Sequence, residues 1–220
     1  MSRATLIELK NKIRRAAEID YTDFVKNDEL IDYINDSLSE LWDILVASCQ
    51  DYFIHRHKFN LVVDQESYPL PSDFYKLTKV FYVDTNGRNK MNKVNLDKLD
   101  YFSNTATSTT SEDSDAMYFI SGNKFWITPP PATADVIELW YVPQATKLMS
   151  DSDEVDISIV NGWDKYITAS VLAIIKAKEE SDPTFWLMEK ERQERRIVRM
   201  ATNRDQSESE SVSDYYRRFE

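Results

Sequence analysis

Glycine is nearly absent. Only Gly87, Gly122 and Gly162 occur in 220 residues. Phosphate-cradling loops of the Walker A and dinucleotide types need several glycines at fixed spacing, so neither is present. Cysteine occurs once, as Cys49, which excludes an internal disulfide. Its place in a helical apolar stripe predicts a core residue, and single-cysteine usage fits a reducing site of synthesis. The two histidines, His55 and His57, lack further ligands at zinc-site spacing, and no glycine-flanked serine elbow exists. The sequence therefore predicts no catalytic residues, no metal and no cofactor. The acidic run Asp151-Ser152-Asp153-Glu154-Val155-Asp156 resembles part of a calcium loop. It lacks the glycine and distal glutamate such loops need, and reads as a solvated loop. No window of about 18 residues is free of charge, so no membrane span is expected. The first residues lack the long apolar stretch of a signal peptide.

What is abundant is negative charge. Lys and Arg total 27 against 38 Asp and Glu, a formal charge of −11. Such a chain repels phosphate backbones over most of its surface. It can stand beside DNA without gripping it.

Periodicity then divides the chain. Apolar residues at Leu6, Leu9, Ile13 and Ala16 or Ala17 predict a helix over Thr5–Ala17. The series Leu30, Ile31, Ile34, Leu38, Leu41, Trp42, Leu45, Cys49, Phe53 predicts a longer one, capped by Asn27 or Asp28. From Lys58 to Val142 the period becomes two, with Pro69 and Pro71 forcing extended backbone, an antiparallel return over Lys90–Val94 and a hairpin at Gly122-Asn123. Asn95 reads as the cap of a short helix using Leu96, Leu99 and Phe102. Asn161 reads as the cap of a third main helix carrying Tyr166, Ile167, Val171, Ile174 and Ile175. Asp182-Pro183 starts a fourth, to about Asn203.

These elements predict an α+β fold that is mainly an α-helical bundle, with an inserted small antiparallel β-rich subdomain and a flexible C-terminal arm. The expected parts are N-terminal bundle helices over 1–57, a β-rich insertion over 58–143 with a flexible loop at 104–115, C-terminal bundle helices over 144–205, and an extended arm over 206–220. Ile34, Leu38, Trp42, Val171 and Ile174 are the expected bundle core.

Two segments carry candidate binding residues. The fourth helix becomes basic inside an acidic protein, and Arg192, Arg195, Arg196 and Arg199 form a candidate face towards a neighbouring copy or an acidic partner. A solvated helix laced with pairs such as Glu191 to Arg195 is the plainer reading. The C-terminal arm ends in Tyr215, Tyr216, Arg217, Arg218 and Phe219, aromatic and arginine types that dominate interface hot spots. Tyr118, Phe125, Trp126, Trp140 and Tyr141 cluster in the strands, where the core of a small sheet is the plainer reading and a sugar or base platform the alternative.

The order of parts resembles a known family. Glu29-Leu30-Ile31-Asp32-Tyr33-Ile34-Asn35-Asp36-Ser37-Leu38-Ser39-Glu40-Leu41-Trp42 is followed by Tyr68-Pro69-Leu70-Pro71-Ser72-Asp73-Phe74-Tyr75-Lys76-Leu77, then Lys124–Pro131, Leu139-Trp140-Tyr141-Val142-Pro143 and Gly162-Trp163-Asp164-Lys165-Tyr166. Over roughly Asp23 to Asp205 this resembles the adaptor proteins of tailed-phage head-to-tail connectors, the head-completion and tail-tubular-A types. The resemblance implies a structural virion protein and no enzyme. It implies a helical bundle with a β-rich insertion and a twelvefold ring of copies. The ring would join the portal protein on one side and tail or nozzle proteins on the other. Double-stranded DNA would pass its lumen without specific binding. It also implies assembly in the host cytoplasm, a final place at the head–tail junction and no membrane partner. In this scheme the arm at Tyr215–Phe219 docks on the portal, and the proline segment makes a rigid corner between bundle and sheet. The alternatives are a small soluble enzyme or sugar-binding module using the aromatic β region, and a DNA-binding module using the basic helix.

Overall fold

A computed structural model of the chain describes residues 4–18, 24–85, 87–94, 116–155 and 161–202. In chain order the elements are β1 (Ala4–Thr5), α1 (Leu6–Ala17), α2 (Asn27–Cys49), a 3-10 turn (Gln50–Phe53), β2 (His55–Asn60), β3 (Ser67–Pro69), β4 (Phe74–Asp84), β5 (Gly87–Lys90), β6 (Asn92–Lys93), β7 (Met117–Ser121), β8 (Lys124–Thr128), β9 (Val136–Pro143), β10 (Glu154–Val155), α3 (Trp163–Lys178) and α4 (Thr184–Thr202). They form two compact units. One is built from both ends of the chain, Met1–Cys49 with Lys147–Glu220, and the other is Gln50–Thr146.

In the first unit α3 is the central helix. Its sequence pattern suggests one apolar side, but Tyr166, Ile167, Ala169, Val171, Leu172 and Ile175 are all buried, with Thr168 and Ser170 between them. The reason is that α1, α2 and α4 each pack against it. Leu30, Ile34, Leu38, Leu41 and Leu45 supply the inner stripe of α2, the three-and-four spacing of an amphipathic helix. Trp42, Ile174 and Cys49, expected in the core, are half-buried instead. Each falls at the margin of its helix's buried stripe.

Local chemistry sets the helix ends. Thr5 caps α1 in a reciprocal box: the Glu8 amide donates to Thr5 Oγ1 at 3.3 Å, and the Thr5 amide donates to Glu8 Oε2 at 3.0 Å. Asp182 accepts from the Thr184 amide at 2.9 Å and starts α4. Asn161 does not cap α3. The helix begins at Trp163, and its cap is Gly162 in the left-handed region at φ 78°, with no side-chain hydrogen bond.

The second unit is where the expected fold fails. Among the described residues 44% are helical and about 29% lie in strands of three sheets, so the protein is a β-rich α+β fold and not mainly a helical bundle. Two four-stranded sheets, ordered β2-β9-β4-β5 and β3-β8-β7-β6, share a core of their own that includes Leu61, Tyr68, Val80, Phe125, Ile137 and Leu139. Alternation over His55–Pro143 supplies enough inward side chains for both sheets, so the β part is no small appendage. Nor is it purely antiparallel. β5 pairs with β4, but at Met91 the chain leaves for the other sheet, where β6 runs parallel to β7. Pro69 of the proline segment lies in β3, the edge strand beside β8. Tyr68 anchors it: its hydroxyl accepts from the Val62 amide at 2.9 Å and lies 3.0 Å from the Gln65 carbonyl. The third sheet is the short β1–β10 pair in the first unit.

The expected helix after Asn95, the loop at 104–115 and the arm at 206–220 lie outside the described residues.

Candidate functional site

The basic helix splits into different environments. Arg192 and Arg195 are exposed and meet Glu189 at 2.9 Å and Glu191 at 3.7 Å on the same helix. Arg196 turns inward, donates to Gln193 Oε1 at 2.9 Å and also donates to the Asn161 carbonyl. It therefore ties α4 to the start of α3. Arg199 is exposed and forms no ion pair among the described residues. Earlier on α4, Lys190 reaches Glu40 of α2 at 2.7 Å and lies over the Tyr166 ring at 5.7 Å. Burial raises the Tyr166 phenol pKa first, and the charges of Glu40 and Glu194 add to it. Phe185, Leu187 and Met188 at the start of α4 stand in solvent. Leu187 lines a groove of about 410 Å³ together with Asp36, Ile174, Ala177, Pro183 and Lys190. Tyr215, Tyr216, Arg217, Arg218 and Phe219 lie outside the described residues.

The acidic run has a structural use. Asp153 Oδ2 accepts from the Met149 and Ser150 amides, both at 2.8 Å. Those backbone bonds lower its carboxyl pKa. The Leu6 amide of α1 donates to the Asp153 carbonyl at 2.9 Å, the Ile7 amide to the Asp151 carbonyl at 3.2 Å, and Lys10 pairs with the Asp151 carboxylate. The run thus takes up first-turn donors that a helix start leaves unpaired. Among the described residues no three His, Cys, Asp or Glu side chains converge as metal ligands. His55 stands edge-on to Tyr141 with ring centres 6.2 Å apart, and His57 lies beside Phe59 at the same separation.

The strand aromatics divide by face. Tyr118, Phe125 and Tyr141 are buried in the shared core. Trp126 is half-buried and stacks on Phe119 at 5.7 Å. Trp140 lies on the outer face of the β2-β9-β4-β5 sheet. Directly opposed residues of antiparallel strands share a face. The register therefore places Arg56 and Lys79 beside Trp140, Lys58 and Phe81 beside Glu138, and Lys76 beside Val142. Lys90 pairs with Phe81, and Arg88 with Val83, on the same side. Bulges within β4 allow Lys76 and Lys79, three apart, to share that side.

Glu138 organises this face. It is buried, and its Oε1 accepts from the Trp140 indole at 2.8 Å and from Arg88 at 3.2 Å, while Lys58 lies 3.7 Å from Oε2. Burial alone would raise its pKa. The Trp140 hydrogen bond and the charges of Arg88, Lys58 and Arg56 outweigh that and lower it. The Arg56 and Arg88 guanidinium carbons sit 4.3 and 4.6 Å from the Trp140 ring centre, and Arg88 also lies 3.8 Å from that of Phe81. Such contacts contribute about 0.5–1 kcal/mol each at exposed sites. They hold like charges together that would otherwise spread apart. Sequence reasoning missed this face. Its signal was present as cations at alternate positions, Arg56 with Lys58 and Arg88 with Lys90.

An opposite pattern occupies α2. Asp28, Asp32 and Asp36 are exposed, four residues apart, and none forms an ion pair among the described residues. Neighbouring carboxylates such as Glu29 and Glu40 do, with Lys178 and Lys190.

No curated protein matches the chain. Its sequence does match the SU10 adaptor protein family over residues 4–213, nearly its whole length. The chain therefore belongs to the SU10 adaptor protein family, a family of phage head-to-tail adaptors, and is a structural component of the virion.

Proposed function

We propose that copies of this chain form a ring between the portal protein and the tail or nozzle proteins, twelve to a ring, with double-stranded DNA passing through the lumen. The family match over residues 4–213 carries this reading. The net charge of −11 supports it, because an acidic wall disfavours phosphate capture during passage. In this reading the protein positions other proteins and catalyses nothing.

Portal docking falls to the arm beyond α4. Tyr215, Tyr216 and Phe219 would anchor it, and Arg217 and Arg218 would supply charge-assisted donors. A single short arm offers a small contact, and a ring of arms compensates through avidity. The exposed Phe185, Leu187 and Met188 at the start of α4 offer a second apolar contact.

The test is reconstitution with the portal protein, imaged by electron microscopy. A ring of density on one portal face is expected with the full chain, and its loss on truncation after Arg204. A full chain that fails to join the portal would overturn the placement. A truncated chain that joins it with unchanged affinity would overturn the arm.

A further inference from the structure

The outer face of the β2-β9-β4-β5 sheet concentrates charge of the minority sign. It carries Arg56, Lys58, Lys76, Lys79, Arg88 and Lys90, all exposed, around the one buried carboxylate of Glu138. Six cations and one carboxylate make +5, so a chain total of −11 leaves −16 on the remainder. A cationic face of this size on so acidic a chain finds its commonest complement on another copy of the same chain.

The α2 stripe supplies that complement at matching spacing. Residues four apart on a helix lie about 6 Å apart along its axis. Alternate residues on a strand lie about 6.7 Å apart, and adjacent strands about 4.8 Å. Asp28, Asp32 and Asp36 laid along the strands therefore meet three successive rows: Lys76 beside Val142, Arg56 and Lys79 beside Trp140, and Lys58 and Lys90 flanking Glu138 and Phe81. Neither surface can meet itself about a two-fold axis, because like charges would oppose. Basic face to acidic stripe can repeat from copy to copy as a head-to-tail contact, the kind that generates rings.

Nucleic acid fits this face less well. The faces of Trp140, which a base would need for stacking, are approached by Arg56 and Arg88 within 4.6 Å. A duplex drawn to +5 also meets the −16 carried elsewhere.

We infer that the Trp140-centred cationic sheet face of one subunit docks the Asp28–Asp32–Asp36 stripe of the next. This deepens the ring reading and rests on it for bringing copies side by side.

The experiment uses the full chain without portal. K58E/K79E/K90E and D28K/D32K/D36K are compared with the unaltered chain by sedimentation velocity at low and high salt, with circular dichroism confirming that each variant folds. Each variant alone is expected to self-associate at least about tenfold more weakly, a loss of about 1.4 kcal/mol, and the equimolar mixture to recover association because both charge patterns are then complementary again. For weak contacts, K79C and D32C, each in a C49S background, are mixed under mild oxidant. A disulfide joining K79C to D32C should exceed either homodimer and fade at high salt. Variants that associate like the unaltered chain, or a heterodimer no more abundant than the homodimers, would overturn the pairing. So would retardation of a short DNA duplex by the unaltered chain that K58E/K79E/K90E abolishes, since nucleic acid would then be the occupant. If rings still form on the portal while these assays are negative, the charge pairing fails and the adaptor placement stands.

Discussion

The Trp140 indole donates to the Glu138 carboxylate at 2.8 Å, two residues back on the same strand. Both side chains point away from the shared sheet core, yet Glu138 is buried, beneath its own ring of cations. The upward pull of burial on the Glu138 pKa is outweighed by groups the sequence places at alternate positions on three strands.

Glu138→Gln should therefore lower the unfolding free energy measured in urea by about 1–3 kcal/mol at neutral pH, because Arg88 and Lys58 lose their counter-charge while the shape is kept. The pH dependence follows from the sign of the shift. A carboxylate held below its ordinary value of 4.5 contributes stability that is present above that value and lost as pH falls towards the folded-state pKa. The gap between the native chain and E138Q should narrow as pH drops below 4.5. A gap that stays constant from neutral to acid pH would refute the charge argument.

Two substitutions in the helical unit separate packing from ion pairing. Leu41 is completely buried on α2, and Leu41→Ala should cost about 2–5 kcal/mol. Lys190→Ala breaks the pair with Glu40, whose side chain is 48% exposed, and should cost less than about 1 kcal/mol. Thermal unfolding followed by circular dichroism ranks the two, and the reverse order would mean that the Lys190 bridge, not the apolar stripe, holds α2 and α4 together.

At Gly162 the backbone has φ 78°, and an added Cβ would stand 2.9 Å from Arg196 Nη1. Gly162→Ala should destabilise by about 1–3 kcal/mol through the left-handed backbone. Adding R196A should relieve only the steric part, since the backbone strain is indifferent to Arg196. Full rescue in the double variant, measured by urea unfolding, would show that crowding was the whole effect.

Asp153 organises the turn that receives the first amides of α1. Asp153→Ala should raise amide hydrogen exchange at Leu6 and Ile7 while leaving the strands of Gln50–Thr146 protected. Unchanged exchange at those two amides would show that the backbone holds the turn without the carboxylate.

Helix existence was legible because the stripe of Leu30, Ile34, Leu38, Leu41 and Leu45 repeats over many turns. The start of α4 was legible from Asp182-Pro183, whose side chain and ring each act locally. The α3 cap was misread because Asn161 is a good cap by type, whereas Gly162 takes a conformation that composition does not announce. The size of the β part was underestimated for a related reason. Alternation marks a strand without saying which sheet it joins, and the passage of the chain between sheets at Met91 leaves no pattern of its own. Trp140 was read as core because an aromatic in a strand usually is. Its outward position becomes visible only when the cross-strand register puts Arg56 and Lys79 beside it. The basic helix showed its pairs of Glu191 with Arg195 at the sequence level, but not the inward turn of Arg196, which depends on the distant Asn161 carbonyl.

The helical unit is written in two instalments, ending at Cys49 and resuming at Lys147. During synthesis α1 and α2 leave the ribosome long before α3, the helix that fills the space between their apolar stripes. About 100 residues at about 5–20 per second leave those stripes exposed for roughly 5–20 s. The intervening β unit has a complete core of its own and can close in that interval. Its folding brings the two ends of a long loop together and lowers the entropic cost of joining the halves of the helical unit. A defect deep in the β core should thus appear first as aggregation of nascent chains through α1 and α2.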